Sequence, residues 1–446
     1  MEWILPNSGL AEWDERDTRR RSERTMRIAI VGGGIGGMVL GLSLLDAGIK
    51  DVDIYESTSN LKELGLGINV LPHAVRELTE LGLLDELSGL GVPTAELVYY
   101  SRHGQRIWGE PRGLAAGYQW PQLSIHRGQL LGVLHRAVVE RLGRQRVHTG
   151  HHLVRFGQEE GRRVWGEFVD RATNTSVRRV EADLLVACDG VHSVVRRTLY
   201  PDEGPPRWNG ITMWRGLTVG EPFLSGRTMI VAGHFQRRVV IYPISQRHDD
   251  EGRVLLNWVA EFKNADDQPM PRQDWEHTAR VEDVLEPFGS FIFDFLDVPA
   301  LIGGAEVIYQ YPMVDRDPLP TWNFGRVTLL GDAAHPMYPV GSNGASQAII
   351  DARVLARELA LQPSIDAAIA GYDAQRRPAT AAVVQANRSV GPEQCMEIVE
   401  QRAPNGFTNL DDIVSKQDLE EISRAYKRTA GFDPDILNSR PSLSVR

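Results

Sequence analysis

Cysteine is nearly missing from this 446-residue chain: Cys188 and Cys395 are the whole complement. Two widely separated thiols make neither a disulfide framework nor a thiolate metal site, and they fit reduced packing residues of a cytosolic protein. No apolar run reaches the ~20 residues that a membrane-spanning helix needs. Residues 1–25 lack the apolar core of a signal peptide, so a cytoplasmic location without a membrane partner is expected. A basic excess is lacking as well. The formal net charge is −10 and no basic patch is interleaved with aromatics, which argues against nucleic acid as a partner. Asp332 with His335 allows a metal reading, but two ligands with no further cluster make no centre, and no metal is expected. What the chain does have is length, enough for two domains and an enclosed large ligand.

The stretch MRIAIVGGGIGGMVLGLSLLDAGIKDVDIYE, residues 26–56, reads as strand, turn, helix, strand. Gly32, Gly34 and Gly37 stand at the G-x-G-x-x-G spacing, with Ile35 and Gly36 completing the turn. The first glycine serves a tight turn, the second lets backbone approach a pyrophosphate, and the third allows close contact between helix and strand. The N–H groups at the helix start suit phosphate, and Glu56, 19 residues beyond Gly37, suits a ribose hydroxyl.

Further along, 72–87 has helical spacing with His73 at its entry, and two strands bracket His103-Gly104. Arg127 stands where a strand runs into a helix over 129–142, either reaching a cofactor edge or lying solvated at the helix start. A second junction, CDGVHSVVRR, places Asp189 at the end of a buried strand. From Gly210 to Tyr311 the texture is that of about five strands, 211–217, 228–232, 239–244, 254–262 and 307–312, in a mostly antiparallel sheet, with helical periodicity over 281–295. Its Trp214, Met229, Tyr242 and Tyr311 suit a pocket for a flat apolar ligand, and Arg215 is either a partner for a carboxylate or an outer-face residue. The third junction, LLGDAAHPMYPVGSNGASQAI, runs from a buried strand through Asp332 and a glycine-proline loop into a helix over 346–361. Helices follow at 372–378, 379–402 and 412–429, then a loose tail from Gly431.

These three junctions, in this order and with a sheet between the second and third, resemble the single-component FAD-dependent aromatic hydroxylases, the para-hydroxybenzoate and salicylate hydroxylase group. The resemblance covers about residues 26–387. More narrowly, GITMWRG, VIYPIS, NWV and QYPMVDRDPLPTW are similar to the phenazine-carboxylate-modifying monooxygenase branch. The resemblance implies an α/β, two-domain (α+β) fold: a Rossmann-like FAD-binding domain over 26–205 and 323–385, a mostly antiparallel substrate sheet over 206–322 joined by a strand pair near 96–120, and C-terminal helices and tail over 386–446. Residues 1–25 are expected to be a flexible extension with no place in the family pattern.

By the same resemblance, Gly32, Gly34, Gly37 and Glu56 form the ADP site and Arg127 contacts the cofactor. Asp189 serves FAD and a transiently docked NADH or NADPH, Asp332 holds the ribityl chain, and Pro339, Gly341, Asn343, Gly344 and Ala345 line the flavin ring. Trp214, Arg215, Met229, Tyr242 and Tyr311 are the candidate substrate contacts. The implied reaction is hydroxylation of an aromatic small molecule with O2 through a flavin C4a-hydroperoxide, in a monomer or homodimer. The hard step is the cofactor's, so no acid–base–nucleophile set is required. Baeyer–Villiger oxidation, N-hydroxylation or decarboxylative hydroxylation on the same scaffold stay open. A flavin-binding sensor is the reading from a different class.

Overall fold

The computed structural model describes residues 26–60, 65–159, 163–266, 268–270, 277–389 and 391–445. The N-terminal extension 1–25 lies outside the described residues. The strands Ile28–Val31, Val52–Tyr55, Leu184–Ala187 and Val327–Leu329 are almost wholly apolar and buried at every position. Strands apolar on both faces pair in parallel and must be covered on both. They form the centre of a six-stranded sheet, in the order Asn323–Phe324, Val327–Leu329, Leu184–Ala187, Ile28–Val31, Val52–Tyr55, Val147–His148. All neighbours are parallel except the terminal hairpin. The helix Ile35–Asp46 packs between Arg127–Leu142 and Gly344–Leu361 on one side, and a three-stranded meander, His152–Glu159, Arg163–Val169 and Ser176–Ala182, covers the other.

A second sheet has seven strands in the order Ile308–Asp315, Arg207–Gly220, Val254–Lys263, Arg237–Pro243, Thr228–His234, Glu96–Tyr100, Arg106–Pro111. The sequence predicted about five; the hairpin Glu96–Tyr100 and Arg106–Pro111 adds two, through the sheet's one parallel pairing, Thr228↔Glu96 onward. One face carries Trp214, Val239, Ile241 and Trp258 against the short helices Val281–Phe288 and Val298–Gly303. The other carries Met213, Val259 and Tyr311 against Leu66, Tyr338 and Val340, and then Met229 and Tyr242 against Met396 and Leu419 of the C-terminal helices. Leu217 and Val240 touch both of these last clusters, so they form one continuous wall.

Three local expectations fail for tertiary reasons. The helix expected over 281–295 stops at Phe288, where Pro287 and Gly289 end it and a hairpin takes over. Pro378 does not divide the next helix, Ile365–Arg388, whose two ends are fixed by Tyr372 Oη to Leu329 O at 3.1 Å and Asn387 Nδ2 to Tyr338 O at 3.0 Å. The lost N–H is tolerated because packing on both sides holds the axis. The tail is not loose: Pro434–Ser439 is helical, Arg440 pairs with buried Glu77, Ser442 Oγ donates to Glu80 at 2.9 Å and Ser444 Oγ to Asp46 at 3.2 Å. Its anchors are acids more than 360 residues earlier, which no local pattern reveals.

Candidate active site

Val31, Ala187 and Leu329 lie in one row of the parallel sheet, so the three chain segments that follow leave from a single edge. Ligands of open α/β sheets bind at that carboxyl edge. In the first segment Gly32 has φ +107°, and a Cβ there would lie 2.2 Å from Cys188 O; one on Gly37 would lie 2.0 Å from Gly32 O. The turn therefore closes on both the second strand and its own helix. A Cβ on Gly34 would meet nothing, and this is the open side, where the N–H groups starting Ile35–Asp46 are presented. Glu56 is more occupied than its expected ribose role suggests. Its Oε2 accepts from Gly33 N at 2.8 Å, and its Oε1 accepts from Thr58 N at 2.8 Å and the hydroxyls of Thr58 and Ser57 at 3.0 and 3.1 Å. The carboxylate braces the glycine turn.

In the second segment Asp189 Oδ2 accepts from Val194 N at 2.8 Å, while Oδ1 is buried with no partner. Burial pushes its carboxyl up against the pull of Ser193 and the backbone amides. Arg196, from the same motif, donates to Ala333 O at 3.1 Å and Ala334 O at 2.8 Å and pairs with Glu203, tying this segment to the third.

There, Asp332 is exposed yet surrounded by protein, so its carboxylate opens onto an internal cleft. Burial raises its pKa; His335 and Arg127 oppose that. A Cβ on Gly344 would stand 4.0 Å from Asp332 Oδ1, which puts the acid beside the start of Gly344–Leu361. Behind the turn lies fully buried Asp351. It accepts from Gly331 N at 3.2 Å and Arg376 Nε at 2.7 Å, and His335 Nε2 is 2.5 Å away. His335 is thereby engaged in the core, and among the described residues no group of three or more His, Cys, Asp or Glu could hold a metal ion.

Between Asp332 and the helix start, the loop turns through Pro339, which is exposed, and Gly341, at φ +65°; Ser342 follows at φ +59°, and Asn343 is fully buried. Gly344 and Ala345 begin the helix. Arg127 opens Arg127–Leu142 with its N–H on Leu66 O at 2.9 Å, and its charge acts on both Asp332 and Tyr311. It therefore stands between the loop and the wall of the second sheet.

Strand alternation decides which of the five candidate substrate residues share that wall. Met229, Tyr242 and Tyr311 lie on it, and Arg215 alternates to the same side as Met213 and Leu217. Trp214 does not. It points to the far face among Phe262 and Phe288, with Nε1 on Gln310 Oε1 at 2.9 Å, so a role as substrate contact is corrected to core packing.

Arg215 donates to Gly67 O at 2.9 Å, and Asn257 Oδ1 accepts from Gly67 N at 2.7 Å. Arg215 Nε and Asn257 Nδ2 are buried and have no partner among the described residues other than the Tyr242 phenol. Tyr242 lies beside them; burial pushes its phenol up to about 12 against the opposing charge of Arg215. Asn257 was missed as a site residue. Its one signal is the polar residue opening the strand motif NWV, opposite Leu217 and Tyr242 in the register.

The model for the FAD binding domain matches residues 25–287 and 310–387, well over half of the chain. The chain belongs to this family. Phenazine 1,6-dicarboxylic acid hydroxylase PhzS of Lysobacter antibioticus is 46% identical over 363 residues, 81% of this chain and 89% of that protein. The 3-amino-4-hydroxybenzoate 2-monooxygenase of Streptomyces cremeus is 31% identical over 430 residues, 94% of this chain and 99% of that one. A solved salicylate hydroxylase in complex with substrate superposes with a TM-score of 0.70 at 22% identity, covering 94% of this chain and 99% of the other, a likeness of fold. The protein is an FAD-dependent, NAD(P)H-consuming monooxygenase of the aromatic hydroxylase group. Its cleft fits that cofactor. The open side of Gly34, the unpartnered Asp189 oxygen and the cleft-facing Asp332 are the donors and acceptors a dinucleotide needs. No helix among the described residues is long and apolar enough to cross a membrane.

Proposed function

We propose that this monooxygenase hydroxylates a flat aromatic or heteroaromatic acid of phenazine-like size, held between the loop 339–345 and the sheet wall of Met229, Tyr242, Tyr311 and Arg215. The observation that carries this reading is the polar group Arg215, Asn257 and Tyr242 on an otherwise apolar wall, in which buried Arg215 Nε and Asn257 Nδ2 find nothing but the Tyr242 phenol among the described residues. Buried donors in native proteins find acceptors, and a carboxylate or ring carbonyl of the substrate is the fitting one. The similarity to a phenazine dicarboxylic acid hydroxylase supports the same class.

Bound FAD supplies the redox chemistry, taking electrons from NADH or NADPH and activating O2. The chain supplies the setting. Gly32, Gly34, Ile35, Gly36 and Gly37 with their helix start hold the pyrophosphate, and Glu56 braces that turn and takes the adenosine ribose at its rim. Asp189 faces the cofactor and the docking nicotinamide, Asp332 takes ribityl hydroxyls, and Arg127 contacts the cofactor. Pro339, Gly341, Asn343, Gly344 and Ala345 line the ring, where the N–H groups of the helix start suit negative charge gathered on reduction. Residues 26–205 and 323–385 then serve the cofactor and 206–322 the substrate. The free thiols Cys188 and Cys395 and the need for NAD(P)H fit the cytoplasm, as a monomer or homodimer.

The test is turnover of a panel of phenazine carboxylates and hydroxybenzoates under labelled O2, with each nicotinamide, read by mass spectrometry. One labelled oxygen on a ring carbon of an aromatic acid is the expected product. Flavin that neither nicotinamide reduces with any of these compounds, or a ring-expanded product, overturns the reading.

A further inference from the structure

The helix Lys416–Thr429 lies beyond the residues matched by the family model and outside all three junction motifs. It nevertheless reaches the ring-lining loop. We propose that Tyr426 is a positioning residue of the cofactor site, its hydroxyl holding the bend at 340–343 so that the start of Gly344–Leu361 is presented to the flavin ring; this rests on the assignment of loop 339–345 to the ring.

The bend holds itself only in part, through Ser342 N to Pro339 O at 3.1 Å and Asn343 Nδ2 to Gly341 O at 3.2 Å. Gly341 and Ser342 are successive left-handed residues, and for a serine that conformation costs roughly 1 kcal/mol. Tyr426 Oη accepts from Asn343 Nδ2 at 2.9 Å and stands 3.1 Å from Val340 O and 2.8 Å from Asn387 Oδ1, the two acceptors for its proton. One hydroxyl thus joins both sides of the bend to the long helix Ile365–Arg388. The loop is shaped to admit it: a Cβ on Gly341 would fall 2.1 Å from Tyr426 Oη, and one on Gly391 would lie 3.1 Å from its ring. Burial raises the phenol far above the usual range, so its proton stays in place at any working pH. The helix that delivers it is fixed independently. Lys427 Nζ pairs with buried Glu110 at 2.7 Å, Ser423 donates to the same carboxylate, and Tyr118 Oη donates to Phe432 O at 2.5 Å just beyond the helix.

Tyr426→Phe keeps the ring and removes the hydroxyl, leaving Asn343 Nδ2 only the longer bond to Gly341 O at 3.2 Å, and Val340 O and Asn387 Oδ1 without the hydroxyl proton. Losing such a bond corresponds to about a tenfold weaker Kd for FAD. The apoprotein should show faster hydrogen exchange at the amides of 338–345, and the loaded protein a lower flavin midpoint potential, because the helix start is held less firmly against the charge of reduced flavin. Tyr118→Phe is the control: it removes a bond of the same C-terminal segment away from the loop, and should change neither loop exchange nor potential. The proposal is overturned if Tyr426→Phe matches wild type in FAD affinity, potential and loop exchange, or if Tyr118→Phe reproduces its changes. Failure of the underlying loop assignment looks different: an Asp332→Ala protein with wild-type FAD affinity, whatever Tyr426→Phe does.

Discussion

The two walls of the cleft are built from different materials. The cofactor edge is mostly backbone, namely a glycine turn, helix starts and strand ends, backed by charged side chains that are closely bonded: Asp351 to His335, Arg376 and Gly331, and Arg196 to Ala333, Ala334 and Glu203. The sheet wall is side chain, drawn from separate strands, and among the described residues it gives Arg215 Nε and Asn257 Nδ2 no partner beyond the Tyr242 phenol. A cofactor that is always the same can be met by a rigid surface open at a few fixed points, here Asp189 Oδ1 and Asp332. A substrate must complete the surface that selects it.

The largest expected effect tests the rigidity of the first wall. Asp351→Ala removes the carboxylate between His335 and Arg376 and leaves buried Arg376 without its counter-ion, which costs roughly 3–5 kcal/mol of stability in urea unfolding. The pH dependence has a definite sign. Burial alone would raise the pKa of Asp351, but His335 and Arg376 prevail and hold it below 3.8. Its contribution is therefore present above the unfolded value and lost as pH falls through the lower folded value, a loss the variant should not show.

Asp332→Ala makes the converse test at the same edge. Asp332 faces the cleft and burial disfavours its charge, so the apoprotein should unfold at wild-type urea concentration or slightly higher. Affinity for FAD should fall about 100-fold through lost charge-assisted hydrogen bonds, read by flavin fluorescence titration. A variant that loses stability and keeps FAD would reverse the distinction between frame and contact.

His73, like Asp189 Oδ1, is an incompletely bonded group on the cofactor side. It is fully buried in Pro72–Glu80, stacked on Phe432 at 5.3 Å with Nε2 3.4 Å from Gln347 Nε2, and its Nδ1 has no partner. Burial, with Arg440 and Arg376, pushes it down to about 3. Above pH 6.5 neither state binds the proton; as pH falls from there towards 3, the unfolded chain takes it up and the folded one does not. About 2 kcal/mol should be lost between pH 7 and pH 5, and His73→Leu should lose less over the same interval in urea titrations.

This contrast also sets what the sequence could reveal. The strand ends, glycine turn and helix starts around Gly32 to Gly37, Asp189 and Asp332 are legible because each is a pattern of the few residues next to it. Trp214 was misplaced and Asn257 overlooked because the sheet face a residue occupies depends on the register of Arg207–Gly220 against Val254–Lys263, which alternation in one strand does not orient. Tyr426 carries no signal at all: an amphipathic helix announces that it packs, not that one hydroxyl lands on Val340 and Asn343, more than 80 residues earlier. The tail anchored by Arg440 and Ser442 escaped for the same reason.

The smallest effect, and the most discriminating for the second wall, is expected from Arg215→Lys. Lysine keeps the positive charge and can still reach a carbonyl such as Gly67 O, but it lacks the planar second donor that Arg215 Nε offers. If the open donor serves the substrate, KM for a carboxylated aromatic should rise about tenfold. KM for a ring without an acceptor group, and the affinity for FAD, should stay as in wild type. Trp214→Phe supplies the opposite face of the same strand: it removes the bond to Gln310 Oε1 and should cost roughly 1 kcal/mol of stability with KM unchanged. A KM change in Trp214→Phe and none in Arg215→Lys would mean that the ligand lies on the far face, among Phe262 and Phe288, and the assignment of the two faces would be inverted.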